Sequence, residues 1–248
     1  MPRFSAVLVL LLGACNQGSG DDTTPTDAKK TVDAAPAETS CGTPIPTTTG
    51  DLLNITGDLD DGSGTGTPVA AATVTAMSAG INRGTATSEV SGLFQVAATT
   101  GGVPVELLTF AATGRKSGRY FPRQPIYKST SLPSLPLFTP ADAATFFAMF
   151  GTQNPANGAA IITINDCADA FTANATVTVS PPGSAIVKYL HGDGSTNGTS
   201  TDATGTAVIL NISPGTVTLA AMVGTQAYHA HAITADPTYV TLAAISEK

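Results

Sequence analysis

From residue 51 onward the chain is cut into apolar runs too short for helices and separated by glycine-bearing turns. ATVTAM (72–77), TATS (85–88), LFQVAA (93–98) and VELLTFA (105–111) are β-branched, small or aromatic; GINRG, EVSG and TTGGVP lie between them. Segments of this length fit strands, and Gly, Pro and polar clusters between them reverse the chain. Charged residues make up only 12% of the sequence, too few to clothe the outer faces of many helices. The expectation is an all-β chain of small antiparallel sandwiches.

The pattern then repeats. GTPVAAATVTAM (66–77) aligns with DAFTANATVTVS (169–180), sharing Ala-Thr-Val-Thr, and TSEVSGLFQV (87–96) aligns with STDATGTAVI (200–209). VELLTFA (105–111) aligns with VTLAAMV (217–223), and the polar stretch HGDGSTNGTS (191–200) accounts for the extra residues between the first and second matches. Order is kept and the one gap is explained, so the economical reading is two modules of one topology. In both copies an acidic residue, Glu89 or Asp202, stands three positions before a glycine, Gly92 or Gly205. A short polar acceptor can hold turn amides there, while glycine takes positive φ without strain.

ITGDLDDGSGTGTPVAAATVTAM…TSEVSGLFQV…PVELLTFAATG resembles the carboxypeptidase regulatory-like domain, and TDATGTAVILNISPGTVTLAA is similar to the ending of a second copy. The resemblance covers roughly 53–112 and 160–246. It implies two tandem prealbumin-like, Ig-like antiparallel β-sandwich domains with about seven strands each. Ala207 stands where the pattern, like Phe94 in the first copy, has Phe, which implies a differently packed second core. The family's zinc peptidase unit is not implied: no HxxE or HExxH spacing occurs.

At the N-terminus Arg3 precedes the apolar run 6–12, followed by Gly13-Ala14-Cys15. A positive start, a short apolar core and small residues form an export signal, and the run falls short of the ~20 residues that span a bilayer. Leu12-Gly13-Ala14-Cys15 resembles the bacterial lipobox, which implies cleavage after residue 14 and lipidation of Cys15. Asn16 after it implies the outer membrane rather than inner-membrane retention. Residues 15–50, rich in Thr, Pro, Asp and Ala, read as a lipid-anchored disordered tether, on the order of 30–35 Å in reach. With Cys15 lipidated, Cys41 and Cys167 remain in an oxidising compartment, as a candidate disulfide or as two free thiols.

The expected organisation is a signal peptide (1–14), the tether (15–50), sandwich 1 (51–127), a connector with one short helix (128–158) and sandwich 2 (159–248). The helix is TPADAATFFAMFG (139–151), with Thr139 as cap, Pro140 in the first turn and Gly151 as stop. Phe146, Met149 and Phe150 are its expected apolar face, packing between modules.

Chemistry is sparse. Net charge is −7, which excludes a nucleic-acid footprint. No G-x-S-x-G elbow, phosphate loop or complete calcium loop is present, and no cofactor is expected. Asp193-x-Ser195-x-Asn197-Gly198 and Asp58-x-Asp60-Asp61-Gly62 are partial acidic loops. His229 and His231 share a strand face and would need a third ligand to hold a metal; otherwise they face solvent. One stretch is dense: Arg115, Lys116, Arg119, Arg123 and Lys128, with Tyr120, Phe121 and Tyr127 interleaved, hold five of the chain's 11 cations. It is either a contact for an anionic glycan or envelope partner, or a solvated edge with its aromatics turned inward. The expected function is a non-enzymatic envelope lipoprotein with a structural or adhesive role, membrane-held by its anchor. The alternatives are a ligand- or glycan-binding accessory subunit of an envelope complex and, remotely, a metal-dependent hydrolase.

Overall fold

A computed structural model describes residues 39–248; the expected signal segment, Cys15 and the first part of the expected tether lie outside the described residues. Within them the chain is strands and one helix, forming β-sandwich, Ig-like units. A hairpin of β1 (Thr39–Ser40) and β2 (Thr43–Pro44) comes first. Its two-residue turn places Cys41 and Gly42 both at positive φ, 55° and 70°, the backbone twist that suits a tight hairpin. The first module then contains β3 (Leu52–Asp61), β4 (Thr73–Ser78), β5 (Ile81–Thr87), β6 (Leu93–Thr99), β7 (Leu107–Ala111) and β8 (Ser117–Phe121). After β9 (Thr130–Ser131), β10 (Leu135–Leu137) and α1 (Pro140–Ala148) comes the second module. It is built from β11 (Gly158–Asn165), β12 (Ala175–Ser180), β13 (Ile186–Leu190), β14 (Thr206–Ile212), β15 (Gly215–Val223), β16 (Gln226–Ala227), β17 (His231–Ala235) and β18 (Tyr239–Ser246).

The sequence repeat is a repeat of pairings. β3 pairs antiparallel with β6, as β11 does with β14; β4 pairs with β7, as β12 does with β15; β7 pairs with β8, as β15 does with β17. Alternation supplies the cores: Phe94, Val96 and Ala98 of β6 point inward while Leu93, Gln95 and Ala97 point out. The third strand breaks the symmetry. β5 pairs with β4, but its counterpart β13 crosses to the other sheet and pairs with β14. That crossing sets Tyr189 opposite Ala207 and donates its volume to the second core. The small residue at 207, where the first copy has Phe94, is thereby accommodated.

The turn shared by both copies has one construction. Gly92 and Gly205 take φ of 81° and 58°, and their carbonyls accept from Leu59 N and Ile164 N at 3.0 and 2.8 Å. The residue that holds each turn to the sheet is not the acidic one. Ser88 and Thr201 are both buried, and their hydroxyls donate to Val69 O and Thr172 O (2.7 Å each) while accepting from Ala72 N and Ala175 N (2.9 Å each). Asp202 adds bonds from Gly192 N and Thr204 N in the second copy. Glu89 carries no equivalent bond among those described.

Residues 128–158, expected as a connector, also supply strands. β9 and β10 pair in parallel with β3, as β18 does with β11. The chain SLPSLPLF (131–138) therefore closes the first module as β18 closes the second. On the helix, Thr139 accepts from Asp142 N at 3.1 Å and its hydroxyl donates to the Asp142 carboxylate at 2.6 Å, a reciprocal cap. The buried face is Ala143, Phe147 and Phe150, with Phe146 half-buried; Met149, expected inside, is 47% exposed. Ala143, Phe147 and Phe150 share one core with Val208 and Leu210 of β14 and Val240 and Leu242 of β18, so that core rather than the 146–149–150 stripe sets the helix's inward side.

The modules are joined by more than a linker. β18 runs parallel to β11 on one side, from Ala159↔Val240 to Asn165↔Ser246, and parallel to β8 on the other, from Tyr239↔Ser117 to Ala243↔Phe121. One eight-stranded sheet, β13-β14-β11-β18-β8-β7-β4-β5, thus crosses the whole body. Val240 and Leu242 face a core shared with the first module and α1, whereas Ala243 and Ile245 face the second core. All but the first residue of β18 are buried, as expected for a strand covered on both faces and paired on both edges.

The parallel trio also gives the body two poles. The C-terminal ends of β11 and β18 meet Cys41: its N–H donates to Glu247 O at 3.0 Å, and it forms a disulfide with Cys167, Cα to Cα 5.3 Å. Residues 39–50, assigned to the tether by composition, are thus built onto the body; Thr49 N donates to Gly102 O, and the Thr49 hydroxyl donates to Tyr127 O. The opposite pole is made by the turns at 62–67, 88–92, 213–214 and 236–238.

Candidate functional site at the basic–aromatic junction

The basic stretch straddles β8, the strand whose free edge receives β18. Alternation along β8 therefore aims successive side chains at the two neighbouring bodies rather than at solvent. Arg115 Nη1 donates to Leu137 O at 2.7 Å, and Lys116 Nζ donates to Pro237 O at 3.0 Å. Arg119 lies 3.7 Å over the Tyr239 ring, donates to Thr234 O at 3.2 Å and pairs with Asp236 at 3.8 Å. Arg123 forms an ion pair with Asp169. Lys128 stands 5.6 Å over the ring of Tyr127.

The aromatics between them point inward. Tyr120 packs against the first core, and burial pushes its hydroxyl pKa up to about 12. Phe121 belongs to the second core although its strand belongs to the first module. Three cations thus reach across to second-module residues: Lys116 to Pro237, Arg119 to Thr234, Asp236 and Tyr239, and Arg123 to Asp169. The structure brings the stretch together as an intermodule joint. Nothing in composition or periodicity distinguishes a charged face turned to a partner molecule from one turned to a later part of the same chain.

His229 and His231 flank this joint. His231 shares the inward side of β17 with Ile233 and Ala235, and its ring meets Phe121 edge-on at 5.9 Å. It does not face solvent. Its Nε2 is buried without a hydrogen-bond partner, and burial, helped by His229, lowers its pKa to about 4. Among the described residues no group of three or more His, Cys, Asp or Glu is placed to hold a metal ion.

The acidic loops hold their own turns. Asp193 accepts from Ser195 N at 2.8 Å, which keeps its carboxyl below the usual range. Burial would raise Asp202, but bonds from Gly192 and Thr204 outweigh it and hold the group low. Asp60 is pushed up by burial despite a bond from Ser134 at 2.7 Å.

Three of the edge strands, β5, β12 and β13, are blunted against further pairing as well. β5 lies so near β6 that a side chain at Gly84 would strike the Ala97 carbonyl, and a register shift bends its pairing partner between Ala76 and Met77. At β12, the outward amides of Ala175 and Val177 are taken by the hydroxyls of Thr201 and Tyr189. β13 carries Lys188 at mid-strand, a charge that discourages edge pairing. Large exposed apolar residues instead sit at turns and strand ends, Val90 foremost at 88%.

No family model matches the chain, and no curated protein matches it. Solved structures with some likeness include the Bacillus anthracis TIE protein, at 13% identity over 79% of this chain and 34% of that one, TM-score 0.25. A streptococcal ancillary pilin has 10% identity over 80% and 63%, TM-score 0.23. The shaft pilin SpaA from Lactobacillus rhamnosus GG has 10% identity over 82% and 98%, TM-score 0.24. The chain spans about a third of the length of the Bacillus protein. Likenesses this low carry no argument; the β-sandwich assignment rests on the strand pairings and turns themselves.

Proposed function

We propose that the chain is a non-enzymatic lipoprotein of the cell envelope, held by lipid at Cys15, with a structural or adhesive role exercised through its loops. The observation that carries this reading is the two-poled body. The N-terminal segment comes in at one pole beside Cys41 and Glu247, and the turn bearing Val90 projects from the other. A body held at the first pole presents the second outward. The junction cations are engaged within the chain and three of the edge strands are blunted, which favours the turns over edge pairing or a basic patch as the contact. Outer-membrane placement follows from Asn16 in the lipobox resemblance and is part of the same proposal.

Two measurements test it. Cells fed an alkyne fatty acid should label the full chain but not its Cys15→Ala variant; label retained in the variant would remove the anchor. Retention of expressing cells on a host or sibling cell layer under flow should fall several-fold in a Val90→Asp, Leu93→Asp variant that is displayed at normal level. Unchanged retention would count against adhesion through this pole.

A further inference from the structure

We infer that the Cys41–Cys167 bridge makes Cys41 a mechanical branch point, so that the two modules bear load side by side instead of one after the other. In sequence the second module hangs behind the first, and any pull from upstream of Thr39 would reach it only through the first. The bridge alters that connection. From Cys41 one covalent path continues through 42–51 into the N-terminal end of β3, where Thr49 and Thr100 bond the chain to Gly102 and Gly50. The other passes through the disulfide to Cys167, two residues beyond the C-terminal end of β11.

Both strands receive the pull at the same pole and along their own length. β3 is held by its ladder to β6 from Leu52↔Thr99 to Asp58↔Leu93. β11 is held by β14 on one side and by β18 on the other. A force applied at the opposite pole loads these ladders lengthwise. Ladder bonds run across the strands, so a lengthwise pull strains many of them together rather than opening them one by one. β18 then ties the two loaded modules through its ladder to β8. The inference needs only that the chain is held upstream of Thr39, whatever holds it.

Single-molecule pulling on the oxidised full chain tests this, with one handle at the N-terminus and the other in a short tag inserted either at Val90 or between Pro214 and Gly215. Pro214 lies about as far along the chain from Cys167 as Val90 does from Cys41, so the two tagged wild-type proteins should reach nearly the same full extension. In a Cys41→Ser, Cys167→Ser variant the Pro214 handle should extend further by roughly 450 Å, the 126-residue separation of the bridged cysteines at ~3.6 Å each. The Val90 handle should not. A wild-type Pro214 extension longer than the Val90 extension by that amount overturns the inference, and this comparison stands even if the variant fails to fold. No adhesion is involved, so cell retention unchanged by Val90→Asp, Leu93→Asp with the short extension kept would sink the adhesive reading alone.

Discussion

Thr201→Val isolates the hydroxyl that both modules use to hold their shared turn. Valine keeps the shape of threonine but removes the Oγ1 that bonds Thr172 O at 2.7 Å and Ala175 N at 2.9 Å. Thr201 is 2% exposed and Ala175 fully buried, so water cannot replace the lost partner at the Ala175 amide. Each net hydrogen bond is worth about 1 kcal/mol, and a buried donor left bare costs about 1–3 kcal/mol. The expected loss is therefore about 2–4 kcal/mol, a large share of the 5–15 kcal/mol typical of a domain. Urea unfolding followed by Tyr fluorescence should show a lower midpoint with unchanged slope. Thr201→Ser, which keeps the oxygen, should recover most of the loss. A Val variant within about 0.5 kcal/mol of wild type would refute the role assigned to the hydroxyl, as would a Ser variant no better than Val.

Two further outcomes are expected. His231 is held neutral down to about pH 4 in the folded chain but protonates near 6.5 once unfolded. Its contribution is therefore complete above about pH 6.5 and is lost as pH falls towards 4, by about 3 kcal/mol in all. A His231→Leu variant should lose that slope in pH-dependent unfolding; an identical slope in both proteins would contradict the burial of the ring. Gly118, between β7 and β18, lies against the buried Phe110 ring, which a Cβ would strike. Gly118→Ala should cost about 1–3 kcal/mol by overpacking, seen as a lower unfolding midpoint; a neutral result would mean the junction repacks freely.

Local signals in the sequence carried the modules a long way. The glycines at 92 and 205, the alternation of β6 and the Ala-Thr-Val-Thr echo each reflect contacts within a few tens of residues, and their pairings match between copies. What escaped were choices made by distant neighbours. β9 and β10 are two and three residues long, the second with Pro136 at its centre, so only their parallel partner β3 makes them strands. Val240 to Ser246 reads as an apolar strand, but nothing local reveals that it has partners on both sides, one from each module. The orientation of Arg119, stacked over Tyr239, depends on that insertion. Ser88 and Thr201 were hidden beside Glu89 and Asp202, whose charge drew attention from the smaller group; their shared offset was the available clue.

The placement of β18 bears on how the chain reaches its folded state. It follows every other described strand in chain order, yet β8, near the middle, waits for it. Until residues 239–246 arrive, the edge of Ser117–Phe121 that β18 later pairs with stays open, and Arg119 lacks the Tyr239 ring that it later covers. The first module can therefore collapse early but not finish, and an open strand edge of that kind invites pairing with another chain. Arg119 stands in that strand, with Arg115, Lys116 and Arg123 just beyond its ends, and charge on an open strand edge discourages such pairing. The charges that stitch the joint are thus also of the kind that discourages an open edge from pairing with another chain.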